Sequence, residues 1–260
     1  MLVDSHCHLN YKGLADDIKA VLERGRGAGV GYFLAINTKL GEFEEVRAIA
    51  RSHRDVSCTV GVHPHEAEGA GDLTAEEIVE RTGDAQVVGI GETGLDYYYD
   101  NSPREAQRRS FKTHIEAAQE TGLPLVVHSR EAEADTEALL AEACKRGPLK
   151  AVIHCFTGSR GFMERMVELG FTISLSGIVT FKTATDLQET AKHIPPDRLL
   201  VETDAPFLAP VPHRGKTCEP AYVADTARFV AGLRGMEDNE LAAMTTENFF
   251  RLFDKTPQPS

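Results

Sequence analysis

The amino-acid sequence predicts a (β/α)8 TIM barrel, a closed ring of eight parallel strands surrounded by helices. Short apolar segments alternate with longer amphipathic segments eight times in 260 residues, a length that is typical of this barrel. The apolar segments are continuous rather than alternating, as in strands that are buried on both faces. Polar residues that could bind a metal ion or take part in catalysis follow six of these segments, and a closed barrel gathers such strand ends at one face.

Each predicted strand is a short apolar segment bounded by polar or turn-forming residues. The eight strands are expected at residues 2–8, 30–36, 56–62, 87–91, 123–127, 151–153, 171–175 and 199–201. The intervals between them are long enough for the helical crossovers that connect parallel strands.

The predicted helices are amphipathic segments that follow the strands. They are expected at residues 14–26, 39–53, from about 74, 103–121, 134–145, 160–169 and 183–193, with two more at 221–233 and 238–253. Pro103 opens the fourth helix, and Gly122 and Gly170 end the fourth and the sixth. Glu76 and Glu77 fall in the first turn of the third helix, where the helix dipole favours acidic residues.

Residues 1–254 are predicted to form one barrel domain, because no linker or low-complexity segment divides them. Residues 255–260, which include two prolines, are expected to form a flexible tail. The alternative fold is an open doubly wound sheet, which collects its ligand at a single switch point. Here the candidate residues follow strands one, three, four, five, six and eight, which favours the closed barrel.

The composition indicates an ordinary globular protein, with 42% hydrophobic and 26% charged residues. No apolar run reaches the roughly 18 residues that a membrane span needs. The first strand begins at residue 1 or 2, so no signal peptide is expected and the cytoplasm is the predicted location. Five scattered cysteines without C-x-x-C spacing indicate reduced thiols rather than disulfides or a zinc ribbon.

The net charge is −12. This charge argues against a broad basic surface that would grip duplex nucleic acid through many phosphates. It leaves open a phosphate substrate in a pocket, where bound metal ions would supply local positive charge.

The first strand ends in two histidines, His6 and His8. Residues two apart on a strand point to the same face, so both imidazoles project to one side. Such a pair can chelate a divalent ion, although two ordinary histidines remain the alternative for this segment taken alone.

Other apolar strands also end in potential metal ligands. The complete set at the strand ends is His6, His8, His63, Glu92, His128, His154 and Asp204. Nitrogen and oxygen ligands without thiolate suit Zn, Mn, Mg or Fe. Four imidazoles and two carboxylates exceed the needs of one tetrahedral ion with an open position. They suit two divalent ions bridged by a carboxylate, an arrangement that can clamp both oxygens of a phosphate displacement.

The sequence resembles the TatD family of metal-dependent deoxyribonucleases over nearly its whole length. The motifs that carry the resemblance occur in family order: Asp4-Ser-His-Cys-His8, Gly61-Val-His-Pro64, Gly89-Ile-Gly-Glu-Thr-Gly-Leu-Asp96, Val127-His-Ser-Arg130, His154-Cys-Phe-Thr-Gly158, Ser174-Leu-Ser-Gly177, Glu202-Thr-Asp-Ala-Pro206, Pro212-His-Arg-Gly215 and Asn248-Phe-Phe250. The resemblance implies a metallo-dependent hydrolase barrel that cleaves DNA phosphodiesters, often as a 3′-to-5′ exonuclease with Mg or Mn.

The resemblance also implies roles for individual residues. It places His6 and His8 on one metal ion and His128 and His154 on the other. Glu92 would bridge the two ions.

Asp204 would join the first ion and orient the attacking water. His63 and Arg130 would face the phosphate, with an orienting role for His63 and a structural ion pair for Arg130 as the alternatives. The cofactor prediction is two divalent ions per chain, Mg or Mn in catalysis, with Zn, Fe or Ni as other occupants.

One loop departs from the family pattern. Arg-Asn often precedes Glu-Pro after strand eight in this family, whereas Thr217-Cys218 stand here. The departure affects expected substrate contacts rather than the metal ligands.

Several other polar residues have two interpretations. Glu202 either supports a metal ligand without binding the ion itself or is a buried structural residue. The basic loop with His213, Arg214 and Lys216 either contacts the substrate or is simply solvated. Residues 97–99, three tyrosines, stack on a base or pack around the Glu92 loop. His65 is expected to be exposed. Cys7 and Cys155 are expected to face away from the neighbouring ligands.

The predicted partner is DNA, as single strands or 3′ ends, bound by a monomer that makes no membrane contact. Relatives of the family suggest a second function, hydrolysis of an amide, a lactone or the ester of a D-aminoacyl-tRNA at the same site. A third is a binding barrel without turnover, which the retained set of costly polar groups argues against.

Overall fold

The computed structural model describes residues 1–257 and confirms the predicted barrel. Eight parallel strands pair in chain order from β1 to β8. Their bounds are Leu2–Cys7 (β1), Val30–Ala35 (β2), Val56–Val60 (β3), Val87–Asp96 (β4), Leu125–Arg130 (β5), Ala151–Ile153 (β6), Thr172–Leu175 (β7) and Leu199–Val201 (β8).

The ring closes just beyond the end of β8. Cys7 and Ala205 form a parallel bridge, and the His8 amide donates a hydrogen bond of 2.7 Å to the carbonyl of Ala205. The amide of Asp204 donates to the carbonyl of His6 at 2.9 Å. The first and last predicted ligand segments are therefore held together by backbone hydrogen bonds.

Nine α-helices surround the described barrel. They span Ile18–Gly27 (α1), Phe43–Ser52 (α2), Ala75–Arg81 (α3), Arg104–Thr121 (α4), Glu133–Arg146 (α5), Arg160–Glu168 (α6), Thr185–Ala191 (α7), Val223–Arg234 (α8) and Asp238–Leu252 (α9). Thr74 caps α3 in a capping box with Glu77. Gly122 ends α4 in the left-handed conformation, as the sequence pattern predicts.

Helix α9 covers the amino-terminal end of the barrel. The side-chain Nδ2 of Asn248 donates to the carbonyl of Pro196, just before β8, and to that of Leu199, the first residue of β8. Phe249 and Phe253 are fully buried in the cluster that fills the barrel interior. Because this end is closed by apolar packing, the carboxyl ends of the strands form the accessible face.

Strand β4 is longer than the sequence pattern predicts. It continues past Gly91, where φ is +126° and the pairing register shifts, to Asp96. The pairing of Asp96 with Arg130 extends β5 as well. Glu92 therefore lies within a strand rather than after it, and Asp96 is added to the same edge.

The predicted tail begins with described residues that are packed against the barrel. Lys255 Nζ donates to the carbonyls of Thr82 and Asp84, both at 2.8 Å, and Thr256 is buried. Residues 258–260 of that predicted tail lie outside the described residues. No helix within residues 1–257 combines the length and apolarity required to cross a bilayer.

Candidate metal centre

The predicted site residues meet in a cavity of about 610 Å³ at the carboxyl ends of the strands. Seven of the eight line this cavity: His8, His63, Glu92, His128, Arg130, His154 and Asp204. The eighth, His6, is completely buried. Strand ends from across the barrel thus supply one cluster, as the sequence predicts.

One oxygen of Glu92 faces the histidines of the first strand. Its Oε2 lies 3.3 Å from His6 Nε2 and 3.9 Å from His8 Nε2. Asp204 approaches the same pair, with Oδ1 at 3.2 Å from His8 Nε2 and 3.6 Å from His6 Nε2. These four residues form the first half of the cluster.

The other oxygen of Glu92 faces a second group of histidines. Its Oε1 lies 2.7 Å from His154 Nε2, 3.0 Å from His128 Nδ1 and 3.4 Å from His63 Nε2. The carboxylate therefore separates two sets of ring nitrogens, with one oxygen directed at each.

Several buried ring nitrogens of the first half have no hydrogen-bond partner within residues 1–257. They are both nitrogens of His6 and Nδ1 of His8. Buried polar atoms in native proteins are nearly always paired. Of these three nitrogens, Nε2 of His6 faces Glu92 and Asp204 at 3.3 and 3.6 Å, so it fits a ligand of a divalent cation. Burial lowers the pKa of His6, which keeps the imidazole neutral, as a metal ligand must be.

The charge of Glu92 is maintained by its neighbours. Burial acts to raise the pKa of this carboxyl, but the surrounding imidazoles, chiefly His154, His63 and His6, hold it well below its usual range. The acid is therefore ionised and able to contribute both oxygens.

Glu202 fixes the orientation of His154. Its Oε1 accepts a hydrogen bond of 2.7 Å from the amide of Cys155 and lies 3.2 Å from His154 Nδ1. With Nδ1 engaged there, Nε2 is the nitrogen directed at Glu92. Glu202 is thus a buried hydrogen-bond partner of a candidate ligand, a contact that favours the first of its two interpretations.

Asp96 holds the outer side of His128, a role that the sequence pattern missed. Its Oδ2 lies 3.0 Å from His128 Nε2 and 2.9 Å from His65 Nε2. Its Oδ1 accepts from the amides of Tyr98 and Tyr99 at 3.1 and 3.0 Å. The spacing in the sequence could have indicated this role. Asp96 follows Glu92 by four residues, and residues i and i+4 of a strand share a face.

His63 lies at the edge of the second half. Its Nδ1 accepts from the amide of His65 at 3.1 Å, which leaves Nε2 toward Glu92. Burial lowers the pKa of His63 to about 4. His65 is partly buried against Asp96, so the expectation of an exposed side chain was wrong.

Arg130 stands over two of the three consecutive tyrosines. Its guanidinium carbon lies 4.2 Å from the Tyr98 ring centre and 4.8 Å from that of Tyr99. No carboxylate within residues 1–257 pairs with it, so the alternative of a structural ion pair finds no support. Tyr97 turns away, and its hydroxyl donates to Asp135.

Two neighbouring features modify the predictions. Cys155 lines the cavity, contrary to the expectation that it faces away, because its φ of +43° redirects the side chain. Cys7 does face away, with Sγ 3.4 Å from the carbonyl of Leu34.

The basic loop lies outside the residues that line the cavity. His213 Nε2 lies 3.0 Å from Asp225 Oδ2, and Arg214 stacks on Phe181 at 3.7 Å. These contacts favour a structural role for the loop. In the segment that departs from the family pattern, Thr217 is exposed and Cys218 is buried.

A family model described as TatD related DNase matches residues 3–254. Curated relatives include the uncharacterized metal-dependent hydrolase YcfH of Escherichia coli K12, which is 44% identical over 97% of this chain and 95% of its own. The corresponding hydrolase YabD of Bacillus subtilis is 37% identical over 97% and 99%. The 3′-5′ ssDNA/RNA exonuclease TatD of Pectobacterium carotovorum is 34% identical over the same shares.

Solved structures show the same architecture. The TatD homologue YjjV of Escherichia coli K12 superimposes with a TM-score of 0.90 at 30% identity, covering 97% of this chain and 98% of its own. A TatD family hydrolase from Entamoeba histolytica gives 0.85 at 24% identity, with 98% of each chain covered.

Proposed function

Because the chain belongs to the family of TatD-related DNases, we propose that this metal-dependent hydrolase cleaves DNA phosphodiester bonds as a 3′-to-5′ exonuclease. Its substrates would be single strands or frayed ends. The position of Glu92 carries the proposal, since one carboxylate directs an oxygen at each of two histidine groups.

The two halves of the cluster would each hold one divalent ion. His6, His8 and Asp204 would hold the first, His128 and His154 the second, and Glu92 would contribute to both. When bound, the ions supply positive charge to the phosphate oxygens and lower the pKa of a coordinated water.

Asp204 is suited to handle the proton of the attacking water. Its Oδ1 faces His8 and His6, whereas its Oδ2 makes no hydrogen bond within residues 1–257. The pKa of this carboxyl is below its usual range, because the hydrogen bond from His8 and the nearby imidazoles outweigh its burial. An ionised oxygen is therefore available to accept a proton from water.

Arg130 and His63 are suited to contact the phosphate. Arg130 is the cavity-lining arginine, and it has no acidic partner in the described chain. The other cavity-lining cation, Lys39, pairs with Glu66 at 3.3 Å. His63 is neutral because burial lowers its pKa, so it would donate or accept a hydrogen bond rather than supply charge.

Two observations support DNA ends over duplex interiors. A relative of 34% identity is named as a 3′-5′ exonuclease of single-stranded DNA and RNA. The net charge of −12 and the single unpaired cavity arginine provide few contacts to duplex phosphates. We expect the barrel to act as a monomer, since all the candidate ligands come from one chain.

The test is turnover of a 5′-labelled single-stranded oligonucleotide in buffer with Mg²⁺ or Mn²⁺. A ladder that shortens from the 3′ end supports the proposal, and a circular single strand of the same composition is the matched control. RNA, a D-aminoacyl-tRNA and a lactone panel run in parallel. Turnover confined to the ester or lactone substrates would overturn the assignment to DNA.

A further inference from the structure

The exposed aromatic rings of the described chain are concentrated around the cavity. Tyr98 and Tyr99 are each 53% exposed and Phe207 is 49% exposed. Every other Phe or Tyr within residues 1–257 is less exposed. Exposed aromatic surface grouped at a polar cavity indicates a binding surface.

Phe207 lies beside the first half of the metal centre. It follows Asp204 by three residues, and its ring lies 6.1 Å from that of His8 and 6.0 Å from that of Tyr11, both edge to face. The ring of Tyr11 stacks on His8 at 4.8 Å. We call Phe207 with Tyr11 the Phe207 platform.

Tyr98 and Tyr99 lie beside the second half. Their rings meet edge to face at 4.8 Å, and Tyr99 lies 5.5 Å from His65. Arg130 covers both rings. We call Tyr98 and Tyr99 the tyrosine platform.

The two platforms adjoin opposite halves of the cluster. Phe207 contacts His8, which belongs to the histidines that Oε2 of Glu92 faces. Tyr99 contacts His65, which shares Asp96 with His128 on the Oε1 side. A phosphate positioned over Glu92 would therefore have one platform on either side.

We propose that the two platforms stack the nucleobases of the nucleotides that flank the scissile phosphate. This inference rests on the proposed function and names how the substrate is held. A chain with net charge −12 has little affinity to gain from phosphate contacts, so binding of a single strand requires another contribution. Base–aromatic stacking provides one, and it tolerates any sequence because every base has a π-face.

The test combines protein variants with modified oligonucleotides. Phe207→Ala and the double variant Tyr98→Ala/Tyr99→Ala each remove one platform, whereas Phe207→Trp retains a ring. Val211→Ala is the matched control, since Val211 is an exposed apolar residue that does not line the cavity. The ligands are an oligothymidylate and versions with one base replaced by hydrogen at either nucleotide flanking the scissile bond.

Binding is measured by fluorescence anisotropy in Ca²⁺ buffer, and cleavage by KM and kcat in Mn²⁺ buffer. Each platform variant should weaken binding of the oligothymidylate by about fivefold to a hundredfold, mainly in Kd and KM. Each platform variant should bind the intact oligonucleotide and the version that lacks the base contacted by its platform with the same Kd. Hydrolysis of methyl p-nitrophenyl phosphate, which presents no nucleobase, measures whatever loss is transmitted through Arg130 or His8, which contact the platforms. We expect this loss to be smaller than the loss on the oligothymidylate.

The outcomes separate this inference from the proposed function. The stacking proposal is overturned if both platform variants bind DNA normally, or if they lose equal affinity for intact and base-free ligands. Cleavage of DNA by the wild type would still support the proposed function in that case. A wild type that binds the oligothymidylate without cleaving it contradicts the proposed function, and the binding comparison still decides the platforms. A wild type that does neither overturns both.

Discussion

The carboxylate of Asp96 lies on the outer side of His128, with Oδ2 3.0 Å from Nε2, while Nδ1 of the same ring faces Glu92 at 3.0 Å. A carboxylate that accepts from one ring nitrogen keeps the proton there and leaves the other nitrogen free to ligate. Asp96 thus selects the tautomer of His128 that a metal site requires.

Asp96→Asn should reverse this selection. Oδ1 accepts two backbone amides, so the carbonyl oxygen of the substituted side chain would stay there and its NH2 group would face His128. Nε2 would then accept, and the proton would move to the nitrogen that faces Glu92. We expect metal affinity or activity to fall about 10- to 100-fold, measured by metal titration and kcat. His65→Gln is the control, because it removes the other partner of Asp96 without changing the tautomer. Equal losses in both variants would contradict this role.

Much of this site could be predicted from the sequence because its residues lie at regular strand ends. His6 and His8 share a face by the period of the strand, and the motifs around Glu92, His128 and His154 coincide with predicted strand ends. The barrel then follows from the eight repeated units, and it brings these ends together without any knowledge of loops.

The missed features depend on local irregularities. Asp96 joins the site because β4 continues through a register shift near Gly91, which a smooth apolar pattern does not reveal. Cys155 enters the cavity because its backbone has a positive φ. Tyr98 and Tyr99 are held by hydrogen bonds from their amides to Asp96, and the pairing of β4 with β5 brings Arg130 beside their rings. Each feature is decided by tertiary geometry rather than by local sequence.

Removal of metal should abolish turnover and reduce stability together. Nε2 of His6, which faces Glu92 and Asp204, is buried without a hydrogen-bond partner within residues 1–257, so a cation would bind the folded state selectively. At an ion concentration about 100 times its Kd, one site stabilises the fold by about 2.7 kcal/mol. We expect chelation to lower the melting temperature, and Mg²⁺ or Mn²⁺ to restore turnover. Full activity in a sample shown by elemental analysis to be metal-free would refute this.

Single-stranded or frayed ends should be cleaved in preference to intact duplex. With a net charge of −12 and Arg130 as the unpaired cavity arginine, the salt dependence of binding should be shallow. We expect single-strand affinity to fall by less than about tenfold between roughly 50 and 200 mM salt, measured by anisotropy. An internal nicking rate on duplex equal to the end-cleavage rate would contradict the preference.

His114 should make the fold sensitive to acid independently of the metal centre. It is fully buried in α4, its Nε2 accepts from the amide of Val62 at 3.0 Å, and its Nδ1 lies 2.7 Å from the carbonyl of Ser110. Burial lowers its pKa from 6.5 to about 4. Below pH 6.5 the unfolded chain therefore takes up a proton that the folded chain resists, and stability falls until the pH reaches about 4.

This linkage amounts to about 2 kcal/mol between about pH 7.5 and pH 5. His114→Gln should be less stable at neutral pH but should lose correspondingly less on acidification, as measured by urea unfolding at both pH values. His193→Gln is the control, because His193 is a partly exposed histidine beside α7. A pH dependence of His114→Gln that equals that of the wild type would assign the acid sensitivity to other groups.

Asp204→Asn should remove chemistry more than it removes metal. Asp204 has a φ of +59°, a conformation that Asn tolerates well, so the backbone need not change. Asn keeps an oxygen for ligation but cannot take a proton from water. Loss of general-base assistance typically reduces the rate by about 10²- to 10⁴-fold, so we expect a loss of kcat in that range with metal content nearly retained.

Glu92→Gln is the informative comparison, because Glu92 directs an oxygen at each half of the cluster. A neutral amide offers one oxygen and one NH2 group, and it leaves the repulsion between two cations less compensated. We therefore expect Glu92→Gln to lose metal as well as activity. Elemental analysis beside the rate of each variant separates the two roles. If Asp204→Asn lost metal as fully as Glu92→Gln, Asp204 would act as a ligand alone, and another group would have to accept the proton.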